Sequence, residues 1–209
     1  MTELLTGAGF RLRRATPEDA GFLTGLAQHE AVEPFLAAVS PWREDELAGE
    51  IERSQADPEH HGRLVLEVAD GAAWAPAGAL AYEVANRRSR IAHLFGVMLD
   101  PASRGRGLAE AATRLLVRHL VFDLDYHRVQ LEVYGFNERG LRTFEHAGFV
   151  REGARRKAYR RHGAWHDGVL FGVIREDLES EPSAPASPPA DQLPRRSGRE
   201  SKRRPPADG

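Results

Sequence analysis

The stretch HLFGVMLDPASRGRGLAEAATRLL, residues 93–116, combines an apolar run, a glycine-rich loop and the beginning of an amphipathic helix. We predict a central strand over 90–100 and a helix whose apolar stripe runs from Leu108 to Leu120. Two glycines and two arginines stand between them, where the helix begins. Unpaired backbone N–H groups and the helix dipole attract anions at such a position. The stretch therefore predicts a phosphate site.

Three kinds of phosphate-binding loop compete for the segment RGRGLA, which begins at Arg104. A P-loop requires G-x-x-x-x-G-K-[ST], and the sequence has no such string. A dinucleotide loop requires G-x-G-x-x-G, but Glu110 takes the third glycine position and the acid Asp123 precedes the next strand instead of ending it. The pattern R-x-x-G-x-A, between a strand and a long helix, fits Arg104, Gly107 and Ala109. We interpret the segment as a pyrophosphate loop.

Helix and strand patterns alternate over residues 1–178, which we predict to form one domain. Helical patterns run from Pro17 to about Ser54, with an interruption near Ser40. Strands are predicted at 10–15, 63–69, 77–85, 90–100 and 127–133, and in the closing segments FVREG and HDGVLFGVI. The second and third of these form a hairpin across the segment GAAWAP. This order predicts an α/β fold with a twisted mixed, mostly antiparallel sheet flanked by helices.

The composition changes near residue 179. Residues 179–209 are rich in proline and serine and almost lack large apolar side chains, so we predict a disordered tail. Its last stretch, PRRSGRESKRRPP, is basic. Two interpretations stay open: a solvated extension without function, and a weak contact with RNA, the ribosome or another acidic partner.

Length and composition exclude several classes of protein. The net charge of the 209 residues is -2, which gives no general attraction to nucleic acid or to an anionic membrane. The chain has no cysteine, so disulfides, thiolate nucleophiles and thiolate metal sites are excluded. No apolar stretch is long enough to span a membrane, and the start MTELLTGAGF does not look like a secretory signal. We expect a cytoplasmic protein.

Three segments together resemble the GNAT superfamily of N-acetyltransferases: residues 93–116, VQLEVYGFN and FEHAGFVREG. The first is similar to the acetyl-coenzyme A motif of that family, and the others resemble its succession of strand, Asn137, helix and Gly148-Phe149. The ending is similar to the branch that contains the RimJ and RimL ribosomal-protein acetyltransferases. The resemblance covers about residues 10–178. It implies direct acetyl transfer from acetyl-CoA to an amine, without a covalent intermediate.

The resemblance also implies which residues hold the cofactor. Glycines would let the backbone approach the pyrophosphate while Arg104 and Arg106 add charge. The strand backbone would pair with the pantetheine arm, and one of its N–H groups would face the thioester oxygen. The residues so implied are Val97, Met98, Leu99, Arg104, Gly105, Arg106, Gly107, Leu108, Ala109 and Asn137. A tight turn with solvated arginines, and an asparagine that only caps a helix, are the alternatives.

Glu132 is the candidate general base. In VQLEV, alternation places Glu132 on the opposite face from Val129, Leu131 and Val133. A carboxylate in a short apolar strand requires a partner or a cleft. The resemblance implies that the matching glutamate takes the proton of the amine, directly or through water. A salt-bridged or solvated glutamate is the alternative.

The general acid is harder to assign. Many family members carry a tyrosine seven residues after the asparagine, but here that position is Phe144, which has no proton to donate. Tyr134, Tyr159 and His146 are substitutes, and a thiolate can also leave without an acid. Some RimJ and RimL relatives have a serine at the position of Gly140, so their substrate contacts do not transfer.

The acceptor must be a neutral amine when it attacks. Deprotonation at pH 7 costs about 1 kcal/mol for an α-amine and about 4.6 kcal/mol for a lysine. We therefore expect a protein N-terminus, with a small-molecule amine such as an antibiotic or a polyamine as the alternative. A non-catalytic module that binds CoA is a further alternative, because Phe144 replaces the tyrosine.

Two histidine patterns and an arginine run are also ambiguous. His162 and His166 have H-x-x-x-H spacing but no evident third ligand, so we expect no metal. His93 on the central strand is expected to be a core residue instead of a catalyst. The basic run from Arg155 to Arg161 would suit either a plain surface or an acidic segment of the substrate.

Overall fold

The computed structural model describes residues 4–36 and 43–180, and within them eight strands form one sheet in the order β1-β2-β3-β4-β5-β6-β8-β7. The strands are β1 (Leu4–Gly7), β2 (Phe10–Arg14), β3 (His61–Asp70), β4 (Ala73–Asn86), β5 (Ile91–Leu99), β6 (Arg128–Tyr134), β7 (Val150–Arg161) and β8 (Ala164–Ile174). Neighbours are antiparallel except β5 and β6, which are parallel. The predicted mixed, mostly antiparallel sheet is confirmed.

Helices cover both faces of this sheet. They are α1 (Ala20–Gln28), α2 (Glu44–Ala56), α3 (Leu108–Phe122), α4 (Glu138–His146) and α5 (Arg175–Ser180), with short 3-10 turns at Pro17–Asp19, Glu33–Phe35 and Pro101–Ser103. None of the described helices is long and apolar enough to cross a bilayer. The predicted interruption near Ser40 lies outside the described residues.

The two faces bury separate apolar clusters. On one face the predicted stripe of α3 is buried, with Leu116 and Leu120 fully inaccessible among residues of β5, β6 and β8. On the other face Leu23 of α1 and Ile51 of α2 pack against Val65 of β3 and its cluster. The helical periodicity of the apolar residues thus predicted correctly which face of α3 packs against the sheet.

The predicted boundaries of two segments need correction. The β3–β4 turn contains only residues 71 and 72, because the remainder of the segment GAAWAP pairs with β3; a register shift at Leu66 and Glu67 accommodates Pro76. At the other end, the helix α5 continues to Ser180, past the predicted boundary at 178, and it buries Leu178. Residues 181–209 of the predicted tail, with the RNA or ribosome contact inferred from them, lie outside the described residues.

A β-bulge in β5 adds one residue at Gly96. Met98 pairs with Ala79, but Phe95 pairs with Ala81. One residue of β4 therefore lies between these two pairs, whereas two residues of β5 do. Gly96 has φ +58°, a conformation that favours glycine. The buried guanidinium of Arg63 lies beneath this bulge, over the Phe95 ring at 5.2 Å, and is ion-paired with Glu50. Sequence analysis did not anticipate the bulge.

Candidate active site

The parallel strands β5 and β6 separate soon after they begin. Pairing joins Ile91, Ala92 and His93 to β6 and then stops, although β5 continues to Leu99. A cavity of about 720 Å³ opens at this split. It is closed on its other sides by segment 31–36 and by the first turns of α4. The split therefore leaves the β6-facing backbone of β5 without a strand partner among the described residues.

Seven of the eleven predicted site residues line this cavity: Val97, Met98, Leu99, Arg104, Ala109, Glu132 and Asn137. The other four belong to the loop or to the core. Gly105, Arg106 and Gly107 are exposed beside the cavity lining. Leu108 is buried, since its side chain is the first member of the α3 stripe. Only its backbone can face a ligand.

The glycine-rich loop has the geometry of an anion cradle. Gly105 and Gly107 have φ of +78° and +69°, and nothing lies within 4 Å of the position that a Cβ would take at either one. The first helical backbone bond of α3 runs from the Ala111 N–H to the Gly107 carbonyl. The N–H groups of residues 105–110 donate to no described backbone acceptor and remain available to a ligand.

Arginines from two separate elements meet at the cavity. Arg104 donates a hydrogen bond to the Ala31 carbonyl at 2.8 Å. The pKa of Arg104 is lowered, mainly by burial and to a smaller extent by the nearby positive charge of Arg139. Arg139 and Arg142, on α4, line the same cavity. Arg104 and Arg139 form no ion pair with any described carboxylate. Arg139 was not predicted as a site residue. Its place two residues after the capping Asn137, in the first turn of α4, could have indicated that it lies near the cavity.

Asn137 caps α4, as predicted. Its Oδ1 accepts a hydrogen bond from the Gly140 N–H at 3.0 Å. A Cβ at Gly140 would lie 2.5 Å from Asn137 Nδ2, so a serine at that position would displace the cap. The α4 helix ends at His146, and Gly148 has φ +94° at the C′ position, where a glycine was expected. The amide of Asn137 therefore holds the start of α4 while it also lines the cavity.

Glu132 reaches across the sheet to β7. Its Oε2 lies 3.1 Å from an Arg155 guanidinium nitrogen, and its side chain is 17% exposed against 60% for Arg155. The second oxygen, Oε1, is buried and accepts no hydrogen bond from the described residues. The carboxylate is thus held through Oε2, while Oε1 is packed over Gly168 without a hydrogen bond from the described residues.

Tyr159 and Tyr134 line the cavity, and His146 does not. Burial, then the Glu132 carboxylate, raises the pKa of Tyr159. Burial also raises the pKa of Tyr134, whose hydroxyl donates to the Leu36 carbonyl at 3.4 Å. Both phenols are therefore protonated at neutral pH. Phe144, at the position of the tyrosine in the family, packs edge-on against Phe149 in the core.

An aromatic cluster lines the side of the cavity formed by β6, β7 and segment 33–36. Tyr134 stacks on Phe136 at 5.3 Å and meets Tyr159 edge-on at 5.2 Å, while Phe35 lies 6.0 Å from Phe136. Phe35 is 44% exposed. Arg161 donates to the Leu36 carbonyl at 2.9 Å and thereby joins the segment before residue 37 to β7. Sequence analysis did not bring these residues together, because no local pattern links segment 33–36 to β7.

The histidines differ from one another in position. His93 lines the cavity instead of lying fully in the core, and burial lowers its pKa. His162 and His166 lie near Phe136, with ring centroids at 6.3 and 4.6 Å. Among residues 4–36 and 43–180, no group of three or more His, Asp or Glu side chains is placed to hold a metal ion.

Comparison with known proteins agrees with this architecture. The family model of the acetyltransferase (GNAT) domain matches residues 10–150. The N-acetyltransferase YokL of Bacillus subtilis, of SPbeta prophage origin, is 38% identical over 76 residues, which cover 36% of this chain and 43% of YokL. The match thus spans less than half the length of this curated relative.

Two solved structures share the fold. Spermidine N-acetyltransferase from Vibrio cholerae, in complex with CoA and spermine, has a TM-score of 0.73 at 20% identity, covering 83% of this chain and 99% of that one. Ribosomal-protein-S5-alanine acetyltransferase from Vibrio fischeri has a TM-score of 0.71 at 18% identity, covering 84% and 98%. The family model matches more than half of the chain, and the split strands and the glycine loop agree with it. The chain therefore belongs to the GNAT acetyltransferase family.

Proposed function

We propose that the protein transfers the acetyl group of acetyl-CoA directly to an amine, and that this amine is the α-amine of a protein N-terminus. One observation carries this proposal: the cavity between β5 and β6 has an anion cradle at one end and the Glu132 carboxylate in its wall. Family membership supports the same reaction.

The cofactor would lie along the split. Its pyrophosphate would rest on the backbone N–H groups at residues 105–110, with charge from Arg104, Arg106 and Arg139. The pantetheine amides would pair with the β5 backbone at 97–99 and with Asn137. A β5 N–H beside the bulge at Gly96 would donate to the thioester oxygen as it gains negative charge. The side chain of Leu108 takes no part, because it is in the core.

Glu132 would act as the base. The neutral amine nitrogen attacks the thioester carbon, a C–N bond forms, and the carbonyl electrons move to oxygen. The Glu132 carboxylate, in the cavity wall, takes the proton from the nitrogen directly or through water. When the carbonyl re-forms, the C–S bond breaks and CoA leaves as a thiolate. Tyr134 and Tyr159, which both line the cavity and are protonated at neutral pH, are the candidates to donate a proton to that thiolate.

The charges of the cavity favour a single amine over a polyamine. Among the described lining residues the carboxylates are Glu132 and Glu138, whereas Arg104, Arg139 and Arg142 are cations. Glu132 is already paired with Arg155. A polyamine carries several positive charges and requires uncompensated carboxylates. A peptide N-terminus adds only one positive charge near pH 7.

The first experiment is titration calorimetry of acetyl-CoA and CoA into the wild type and a Gly107→Trp variant. We expect the tryptophan to abolish micromolar binding, since it fills the cradle and strains a positive φ. Gly71→Trp is a matched control: Gly71 has φ +60° and open surroundings, but lies in the β3–β4 turn. Equal binding by Gly107→Trp and the wild type would refute the cradle.

The second experiment identifies the acceptor. The wild type is incubated with acetyl-CoA and, in separate reactions, peptides with a free N-terminus, lysine peptides with a blocked N-terminus, and spermidine. Mass spectrometry detects the acetylated product. We expect modification of the free N-terminus. Faster acetylation of spermidine would support the polyamine alternative, and binding of CoA with no turnover of any amine would support a non-catalytic module.

A further inference from the structure

Two ion pairs cross strand β8 without any contribution from β8 itself. Strand β8 lies between β6 and β7, and its Gly168 and Gly172 face the same side of the sheet as Glu132. Glu132 pairs with Arg155 over Gly168, and Arg128 pairs with Glu152 over Gly172. In both places side chains from two outer strands meet above a glycine of the middle strand.

At position 168 the Glu132 carboxylate occupies the space of the missing side chain. A Cβ there would overlap Glu132 Oε1 and lie 2.7 Å from Tyr159 Cε2. Tyr134 is opposite Gly168 in β6, and Arg155 is opposite it in β7. The glycine thus admits the carboxylate to the place where Arg155 and Tyr159 surround it. A methyl group there would displace the flexible end of Glu132, and the Tyr159 ring would have to shift as well.

Position 172 offers the same geometry without the cavity. A Cβ there would lie 2.5 Å from Glu152 Oε1 and 2.6 Å from Arg128 Nη1. Arg128 donates from this Nη1 to Glu152 Oε1 at 2.6 Å. Neither Arg128 nor Glu152 lines the cavity. The two glycines share a strand, a face and a cross-strand ion pair, and differ in whether the carboxylate above them belongs to the candidate active site.

We propose that Gly168 is a positioning residue for Glu132: its missing side chain lets the carboxylate cross β8 to Arg155 and Tyr159 within the cavity wall. This inference rests on the proposed role of Glu132 as the base. No local motif marks Gly168, since its partners come from β6 and β7.

The test compares Gly168→Ala with Gly172→Ala. We expect Gly168→Ala to lower kcat by roughly 10- to 100-fold, as for a misplaced catalytic group, with the KM for acetyl-CoA unchanged. Gly172→Ala should keep the kcat of the wild type. Circular dichroism and thermal melting check that both variants fold alike. Equal losses of kcat in the two variants would overturn the proposal, because disruption of the strand would then explain both.

Two further measurements separate this inference from the proposed function. In a Glu132→Gln background, Gly168→Ala should cause no additional loss of kcat, since the residues act as a unit; additive losses would refute the positioning role. A crystal structure of Gly168→Ala should show the Glu132–Arg155 contact broken, and an unchanged contact would refute the inference whatever the activity. If Glu132→Gln is fully active, the proposed base is wrong even where the carboxylate moves.

Discussion

The two ends of the cavity are built in different ways. The end proposed for the cofactor, the cofactor end, comes mainly from one continuous segment that includes the end of β5, the loop at 104–107 and the first turn of α3, and it presents backbone N–H groups. The end proposed for the acceptor, the acceptor end, comes from side chains of distant segments, among them Phe35, Glu132 and Tyr159. A continuous segment that presents its backbone can be recognised in a sequence, whereas an assembly of side chains cannot. This is why the resemblance predicted the cofactor more clearly than the acceptor.

The largest expected effect is a loss of kcat at the acceptor end that leaves cofactor binding at the other end unchanged. Replacing Glu132 by glutamine keeps the shape but removes the proton acceptor, so we expect kcat to fall by about 10²- to 10³-fold. The dissociation constant of acetyl-CoA should stay the same, because Glu132 is not part of the anion cradle. Steady-state kinetics and calorimetry on one preparation measure both quantities. A loss of cofactor affinity equal to the loss of kcat would show that the two ends are not independent.

The next effect belongs to the cofactor end. Asn137→Ala removes the cap of α4, which costs about 1 kcal/mol of stability, and it also removes a proposed pantetheine contact. We expect acetyl-CoA to bind about tenfold more weakly. Asn86→Ala is the control, since Asn86 also accepts a backbone hydrogen bond, from the Ser89 N–H, but lies outside the cavity lining. Undiminished affinity in Asn137→Ala would reduce Asn137 to a helix cap.

A smaller effect tests the arginine that sequence analysis missed. Arg139→Gln should weaken CoA binding about three- to tenfold at low salt and less at high salt, because the guanidinium is exposed and screened. Stability should not fall, since the like charge of Arg104 is nearby. Calorimetry at two salt concentrations measures the affinity. Affinity that is unchanged at low salt would exclude Arg139 from the phosphate site.

The smallest effect concerns His93, between the two ends. Burial lowers its pKa from the ordinary 6.5, so the folded protein binds its proton less readily than the unfolded chain. The resulting contribution to stability is complete above pH 6.5 and is lost as the pH falls through the lowered folded pKa. The free energy of unfolding should thus fall less steeply below pH 6.5 in His93→Gln than in the wild type. Urea titrations at several pH values measure the free energy of unfolding. The same pH dependence in the wild type and in His93→Gln would contradict a lowered pKa of His93.

Much of the fold could be predicted because its signals are local. The α3 stripe, the cap at Asn137 and the Schellman end at Gly148 depend on residues within a few positions of one another. Strand β1 and the full length of β7 were missed, since β1 is four residues long and β7 is rich in charged residues. An exposed edge strand lacks the alternation that buried strands display.

The sequence by itself determined the family, the glycine loop at the start of α3 and the position of Glu132 on β6, since each follows from a contiguous pattern. Only the tertiary structure decided what surrounds that carboxylate. The strand order β6-β8-β7 places Arg155 across a glycine from Glu132, and a register shift in β7 brings Tyr159 opposite His166. The bulge at Gly96 likewise arises from pairing with β4. Contacts across a sheet depend on strand order and register, which residue spacing along one strand does not encode.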